Sequence, residues 1–279
     1  MTELQKIEFD MLKEFIRICD ELNLTYYLVC GSALGAAKYG GFIPWDDDLD
    51  VALPREDYDV FCEKAQSMLP EHLFLQNNNT DPHYPLYMSK IRNCNTTFIE
   101  IMHSKIDMNH GVYIDVFPLD GYPNDEKNIK KFERQKVLYN RRRLVRCEFN
   151  RFTKPLYRQA KNIALLVLFR TIGYCRNTQK ITNKFSKITA KYPCKDSKLW
   201  CNHGNWQGKL EYAPKEQYGK GVITKFEGID VRIPEKYDEY LAQKYGDWRS
   251  DLPEEEKKGP HLHTVMDLEK SYTEYMENK

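Results

Sequence analysis

Asp46, Asp47, Asp48 and Asp50 put four carboxylates into five positions, and no other stretch limits the fold of this chain so strongly. They lie between a small-residue segment, Gly31-Ser32-Ala33-Leu34-Gly35-Ala36, and the apolar run Val51-Ala52-Leu53. Like charges this close repel one another, and burial makes the repulsion worse. A solvated or Ca²⁺-binding acidic loop is the plain alternative, but Trp45 and the flanking apolar residues argue against solvation. A divalent cation removes the cost, and hard oxygen ligands are what Mg²⁺ prefers. Strand side chains alternate between faces, so a strand reaching back to Asp46 would put Asp46, Asp48 and Asp50 on one face. Upstream, Tyr26–Cys30 reads as a strand running into Gly31-Ser32, followed by a helix over Ala33–Lys38. Small residues there let a ligand approach the backbone, and free N–H groups at a helix start suit a phosphate.

Strand, Gly-Ser, short helix and Asp-x-Asp on a second strand form the pattern of the nucleotidyltransferase superfamily. The fuller text is Gly-Ser-Ala-Leu-Gly-Ala, then Gly-Gly-Phe-Ile-Pro-Trp-Asp-Asp-Asp-Leu-Asp, then Arg55-Glu56-Asp57-Tyr58. It closely resembles the signature of the LicD family of phosphocholine and related phosphodiester transferases, to which the fukutin-related transferases look distantly similar. Two further segments fit the resemblance. Tyr87–Asn93 reads as a strand carrying Lys90 and Arg92 on one face, where two cations can hold phosphates or simply be solvated. Gly111–Gly121 resembles the family's Ile-Asp-Val-Phe-Pro-Leu-Asp motif. Asp115 there interrupts a buried strand and must be paired or bind metal, whereas Asp120, after Pro118, is expected to make an Asx-turn or a helix cap. Near the C-terminus, Phe226–Pro234 reads as a hairpin and Tyr237–Trp248 as a helix stopped by Gly246. The following Leu252-Pro253, Lys257-Lys258 and His261 resemble the family's ending, with Pro253-Glu254 and Lys257-Lys258 where it most often has Pro-Pro and Lys-Arg. His261 either contacts substrate or is a structural surface histidine.

The net charge of +1 conceals an asymmetry: Lys130–Lys198 holds twenty Lys/Arg against only Glu133, Glu148 and Asp196. Helices are expected over Asn128–Phe149, Ala160–Gly173 and Thr178–Tyr192. Nucleic-acid binding lacks its stacking aromatics and any motif. Contact with an anionic membrane, closure over an anionic substrate, or a solvated basic subdomain remain. The seven-residue run Ile163–Phe169 is too short to span a bilayer, and the charged N-terminus reads as a packed amphipathic helix rather than a signal peptide. A cytoplasmic protein, peripheral to the inner face of the membrane, with reduced cysteines is therefore expected. Cys194, Cys201 and His203 invite a zinc reading but lack a fourth ligand and the usual spacing. Trp200–Gly208 resembles a loop that shapes a pocket or joins domains.

The expected architecture is a mixed α/β nucleotidyltransferase-like core (1–123), a basic helical insertion (124–200) and a C-terminal segment packing back on the core (201–279). The resemblance implies transfer of a phospho-alcohol, foremost phosphocholine from CDP-choline, onto a hydroxyl of a cell-surface glycan, teichoic acid or lipid-linked precursor. Asp46, Asp48, Asp50 and Asp115 would hold Mg²⁺ or Mn²⁺, with Asp48, Asp50 and Asp115 catalytic. Gly31, Ser32, Trp45, Arg55, Lys90, Arg92 and His261 would bind substrate, Trp45 by meeting a quaternary ammonium. Two rivals stand beside this reading: nucleotidyl transfer from an NTP, and an inactive core that binds membrane or polyanion.

Overall fold

The structure is a computed structural model and describes residues 1–144, 178–204, 208–259 and 261–276. The expected helix over Ala160–Gly173, Arg146 and the run Ile163–Phe169 lie outside the described residues. Helix α1 (Glu3–Glu21) opens on a capping box between Thr2 and Gln5 and buries Met11, Leu12, Phe15 and Ile18 at helical spacing. Then follow β1 (Tyr27–Leu28), α2 (Cys30–Tyr39), β2 (Asp50–Pro54), α3 (Arg55–Met68), β3 (Leu73–Gln76), β4 (Ser89–Asn93), β5 (Thr97–Glu100) and β6 (Val112–Gly121). Helices α4 (Glu126–Leu144) and α5 (Thr178–Thr189) form the basic region. The chain closes with β7 (Leu199–Asn202), β8 (Tyr212–Pro214), α6 (Lys215–Tyr218), β9 (Val222–Phe226), β10 (Ile229–Ile233), α7 (Tyr237–Tyr245), β11 (His263–Asp267) and α8 (Thr273–Met276).

The expected mixed α/β core is present, organised around β6, every residue of which is buried. The sheet runs β1-β2-β6-β4-β3, with β7 on the last three residues of β6 and β8 beyond it. Strand β2 lies parallel to β6, while β4 and β7 run antiparallel to it. Two registers matter for the site: Asp50 lies opposite Asp115, and Lys90 lies opposite Asp115 from the other side. Two carboxylates and an ammonium thus stand in one row across three strands.

The C-terminal third is stitched into this core. Strand β7 spans residue 200, where one unit was expected to give way to the next, and β11 pairs with β5. The β9–β10 hairpin forms as expected, and α7 ends at Gly246, whose φ of 67° suits the left-handed region that glycine tolerates.

Four local expectations are corrected. Strand β2 begins only at Asp50, because a turn closed by Asp46 N–H on Ile43 O breaks the extended chain before it. Alternation therefore does not bring Asp46 and Asp48 together with Asp50; a loop does. Helix α2 starts at Cys30, so Tyr26–Cys30 yields only a two-residue strand. Trp200–Asn202 belongs to β7 rather than to a loop. Asp120 sits inside β6, fully buried, where Arg55 Nε and the Tyr87 hydroxyl donate to its two oxygens at 2.8 and 2.6 Å; it neither caps a helix nor makes a turn.

Candidate active site

Asp50 is held where β2 begins by the Ser32 hydroxyl, which accepts its backbone N–H at 2.8 Å. That bond ties the first turn of α2 to the carboxylate strand. Asp115 stands beside Asp50, and Asp48 reaches in from the loop, so that one oxygen from each of the three lies within 4.8 Å of the others. A second group within the same span is Asp47, Asp48 and His261. His261 Nδ1 lies 2.9 Å from Asp47, whose carboxylate also accepts the His261 backbone N–H, while Nε2 lies 3.7 Å from Asp48. Asp46 completes the cluster from the other side, pressed so closely on Gly31 that a Cβ there would come within 2.9 Å of Oδ2. A side chain at 31 would have to displace that carboxylate.

The electrostatics follow from crowding in a poorly solvated cleft. Burial, then the neighbouring Asp48 and Asp47, push Asp46 up to about 8. Burial, Asp48, Asp115 and Asp46 hold Asp50 well above the usual carboxylate range. Asp48 is raised by burial first, with His261 opposing and Asp115 reinforcing. Burial alone would lower His261, but the hydrogen bond to Asp47 and the charge of Asp48 outweigh it and push the imidazole up to about 10. Glu8 of α1, buried nearby with Oε2 unbonded, is raised well above its usual range by burial, Asp48, Asp46 and Asp47. Without a cation, then, the cluster retains protons to reduce its charge. An all-oxygen set of three converging carboxylates fits a hard divalent ion, which can take the place of those protons.

Lys90 brings a positive charge to the Asp115 side of this cluster. Its Nζ lies 2.9 Å from Asp115 and 3.6 Å from Glu100, over the Tyr113 ring at 3.1 Å from the centroid. A cavity of about 680 Å³ opens from the acidic row and is lined, among others, by Gly31, Trp45, Asp46, Asp48, Asp50, Lys90, Asp115 and His261. Tyr39 and Trp45 meet edge-on at 6.2 Å, and Lys257 sits 5.4 Å from the Trp45 ring.

Three expected substrate ligands do not line the cavity, Ser32 being buried with its hydroxyl on the Asp50 N–H. Arg92 is fully buried and does not line the cavity; Nε donates to Gln76 and Nη1 to the Gly111 carbonyl, both at 2.7 Å. It shares a strand face with Lys90, but two residues along a strand is about 6.6 Å, enough to take it past the cavity. Arg55 is likewise absent from the cavity wall and is spent on Asp120, Asp59 and Tyr87. The zinc reading finds no support among the described residues: Cys194 Sγ donates to the Leu119 carbonyl, and Cys201 pairs with His203 at 3.2 Å.

Other residues of the site went unread. Glu100 lines the cavity; burial would raise it, but Lys90, His103 and Arg92 hold it well below the usual range, so it is a fixed anion. Asp47 holds His261, and Tyr245 and Trp248 add walls from the C-terminal segment. Only the final Glu of Thr97–Glu100, a charge at the end of a buried strand, offered a local signal.

Comparison with known proteins identifies a family. The family model described as LicD/FKTN/FKRP, nucleotidyltransferase domain, matches residues 23–161. Lipopolysaccharide cholinephosphotransferase LicD of Haemophilus influenzae is 28% identical over 267 residues, covering 94% of this chain and 96% of that protein. An uncharacterised protein of Rickettsia typhi is 29% identical over 126 residues, 45% of this chain and 38% of its own length. Another, from Rickettsia prowazekii, is 28% identical over 115 residues, 41% of this chain and 40% of its own.

Proposed function

The chain belongs to the LicD family, and from that premise we propose that it transfers phosphocholine from CDP-choline to a hydroxyl of a glycan or lipid-linked glycan, releasing CMP. The observation that carries this reading is the row Asp50–Asp115–Lys90, joined by Asp48, at one end of a cavity of about 680 Å³. Similarity along nearly the whole chain to a lipopolysaccharide cholinephosphotransferase supports the choice of cargo and acceptor class.

In this reading Asp48, Asp50 and Asp115, with Asp46 beside them, would hold Mg²⁺. When bound, the ion neutralises the donor diphosphate and the charge that builds on the leaving CMP. Gly31, in the first turn of α2, offers backbone to a phosphate, and Lys90 faces the transferred phosphoryl group. The acceptor hydroxyl attacks phosphorus as the bond from phosphorus to the CMP oxygen breaks. Its proton passes to a carboxylate of the cluster, Asp115 by preference. Trp45 offers a ring face to the quaternary ammonium of choline, and His261 braces Asp47 and Asp48. The lysines at 180, 184, 187 and 191, repeating at helical spacing from α5 into the loop beyond it and all exposed, are assigned to an anionic membrane surface at the cytoplasmic face. No helix of the described residues is long and apolar enough to cross a membrane.

The test is a thermal-shift and product assay with Mg²⁺ and CDP-choline, CDP-ribitol, CDP-glycerol, CTP, ATP and UDP-sugars, repeated on Asp48→Asn. A ligand at one hundred times its Kd stabilises by about 2.7 kcal/mol. Metal-dependent stabilisation by CDP-choline with release of CMP, both lost in Asp48→Asn, is the expected result. Response to a nucleoside triphosphate alone, with pyrophosphate released, would replace the reading with nucleotidyl transfer.

A further inference from the structure

Gln5 takes part in two structures at once. In the first it closes the capping box of α1: the Thr2 hydroxyl accepts the Gln5 N–H at 3.1 Å, and Gln5 Oε1 accepts the Thr2 N–H at 3.0 Å. A glutamate would complete that box equally well, since both residues are favoured at this position. In the second, Gln5 Nε2 donates to the carbonyls of Ile43 and Asp46, both at 3.1 Å. Only an amide can do both, because a carboxylate has no hydrogen to give.

Those two carbonyls bound the turn closed by Asp46 N–H on Ile43 O at 3.0 Å, with Pro44 and Trp45 between them. The turn therefore carries a cavity wall residue and one member of the acidic cluster. Gln5 is 2% exposed and uses its oxygen and both amide hydrogens, so its orientation is fully determined. On the opposite side Asp46 rests on Gly31, where no side chain would fit without moving it. Carboxylates crowded at positions 46, 47, 48 and 50 repel one another as they ionise, so the loop gains from a hold outside the cluster. Helix α1 lies outside residues 23–161, which the family model matches, yet it supplies this hold.

We propose that Gln5 is a positioning residue for the active site: it clamps the Ile43–Asp46 turn so that Asp46 stays in the carboxylate cluster and Trp45 stays in the cavity wall. The inference rests on reading that cluster as a cation site. It predicts that the helix cap and the loop can be uncoupled by mutation. Gln5→Glu preserves size and the capping box, removes the two donors and adds a charge facing the two carbonyls. Gln5→Met removes the donors without adding charge, and Thr2→Ala weakens the cap while leaving the clamp.

The experiment combines amide hydrogen exchange by NMR, Mn²⁺ binding by electron paramagnetic resonance, and steady-state kinetics with CDP-choline. Both Gln5 variants are expected to speed exchange of the Asp46 amide at least tenfold, with α1 amides unaltered in Gln5→Glu; Thr2→Ala should do the reverse. Gln5→Met should weaken Mn²⁺ binding by about tenfold or more, as loss of an outer support does elsewhere, and lower kcat with little change in KM. Unchanged exchange at Asp46 in both variants would overturn the clamp. Faster exchange with Mn²⁺ affinity and kcat unaltered would overturn the positioning role. A parent protein that binds Mn²⁺ but releases no CMP would count against the transferase reading, while the exchange and Mn²⁺ arms still decide the role of Gln5.

Discussion

Strand β6 carries two buried aspartates five residues apart, and their surroundings treat them in opposite ways. Asp120 is closed off with Arg55 and Tyr87, and the guanidinium lies over the rings of Tyr58 and Tyr87. Its charge is matched within the protein and its oxygens are bonded. Asp115 meets Lys90, but Lys90 is shared with Glu100, and Asp48 and Asp50 crowd the same space. In the first arrangement the buried carboxylate has its own guanidinium, which otherwise meets only the exposed Asp59; the second is anionic and opens into a cavity. A buried charge matched internally serves the fold, whereas one left in excess calls for a cation or substrate from outside.

The largest effect should come from breaking the closed arrangement. Asp120→Ala takes away the buried partner of Arg55 and leaves it only the exposed Asp59, a loss that approaches the ~3–5 kcal/mol of a broken buried pair. Denaturant unfolding should register that loss, while turnover per folded molecule stays close to the parent. Asp115→Asn should behave in the opposite sense. Activity should fall at least about 100-fold, beyond what loss of an outer support costs, with a smaller change in unfolding midpoint because Lys90 keeps Glu100. Equal stability losses in the two variants would erase the distinction.

The smallest effect, and the one that sharpens the comparison, is the pH dependence of the metal-free protein. Asp46 moves from an ordinary 3.8 to about 8, so between those values the folded state holds a proton that the unfolded chain has released. Its contribution to stability is present at low pH and is lost as pH rises toward 8. His261, moved from 6.5 to about 10, adds a loss of the same sign at higher pH. The melting temperature should therefore fall from about pH 5 to about pH 9. Mg²⁺ should flatten the curve, stabilising more at the alkaline end, and Asp46→Asn should remove its share of the slope. A melting temperature that rises over this range without metal would contradict the crowded-carboxylate account.

Sequence by itself determined much of this protein. The elements follow from periodicity: the apolar spacing of α1, the alternation of β4, the hairpin at 222–233 and the glycine that stops α7. The identities of Asp46, Asp48, Asp50 and Asp115 were legible because charges embedded in apolar text require a reason. Tertiary structure alone decided which of the two strand cations lines the cavity. Lys90 and Arg92 share a strand face, but Arg92 lies past the cavity and is taken up by Gln76 and the Gly111 carbonyl. Arg55 and Asp120 pair across 65 residues, and Gln5 reaches 38 and 41 residues to the loop it holds. Local spacing carries the backbone pattern because helices and strands repeat at fixed periods. It carries no record of which distant side chains meet, because that depends on how the packed elements bring them together.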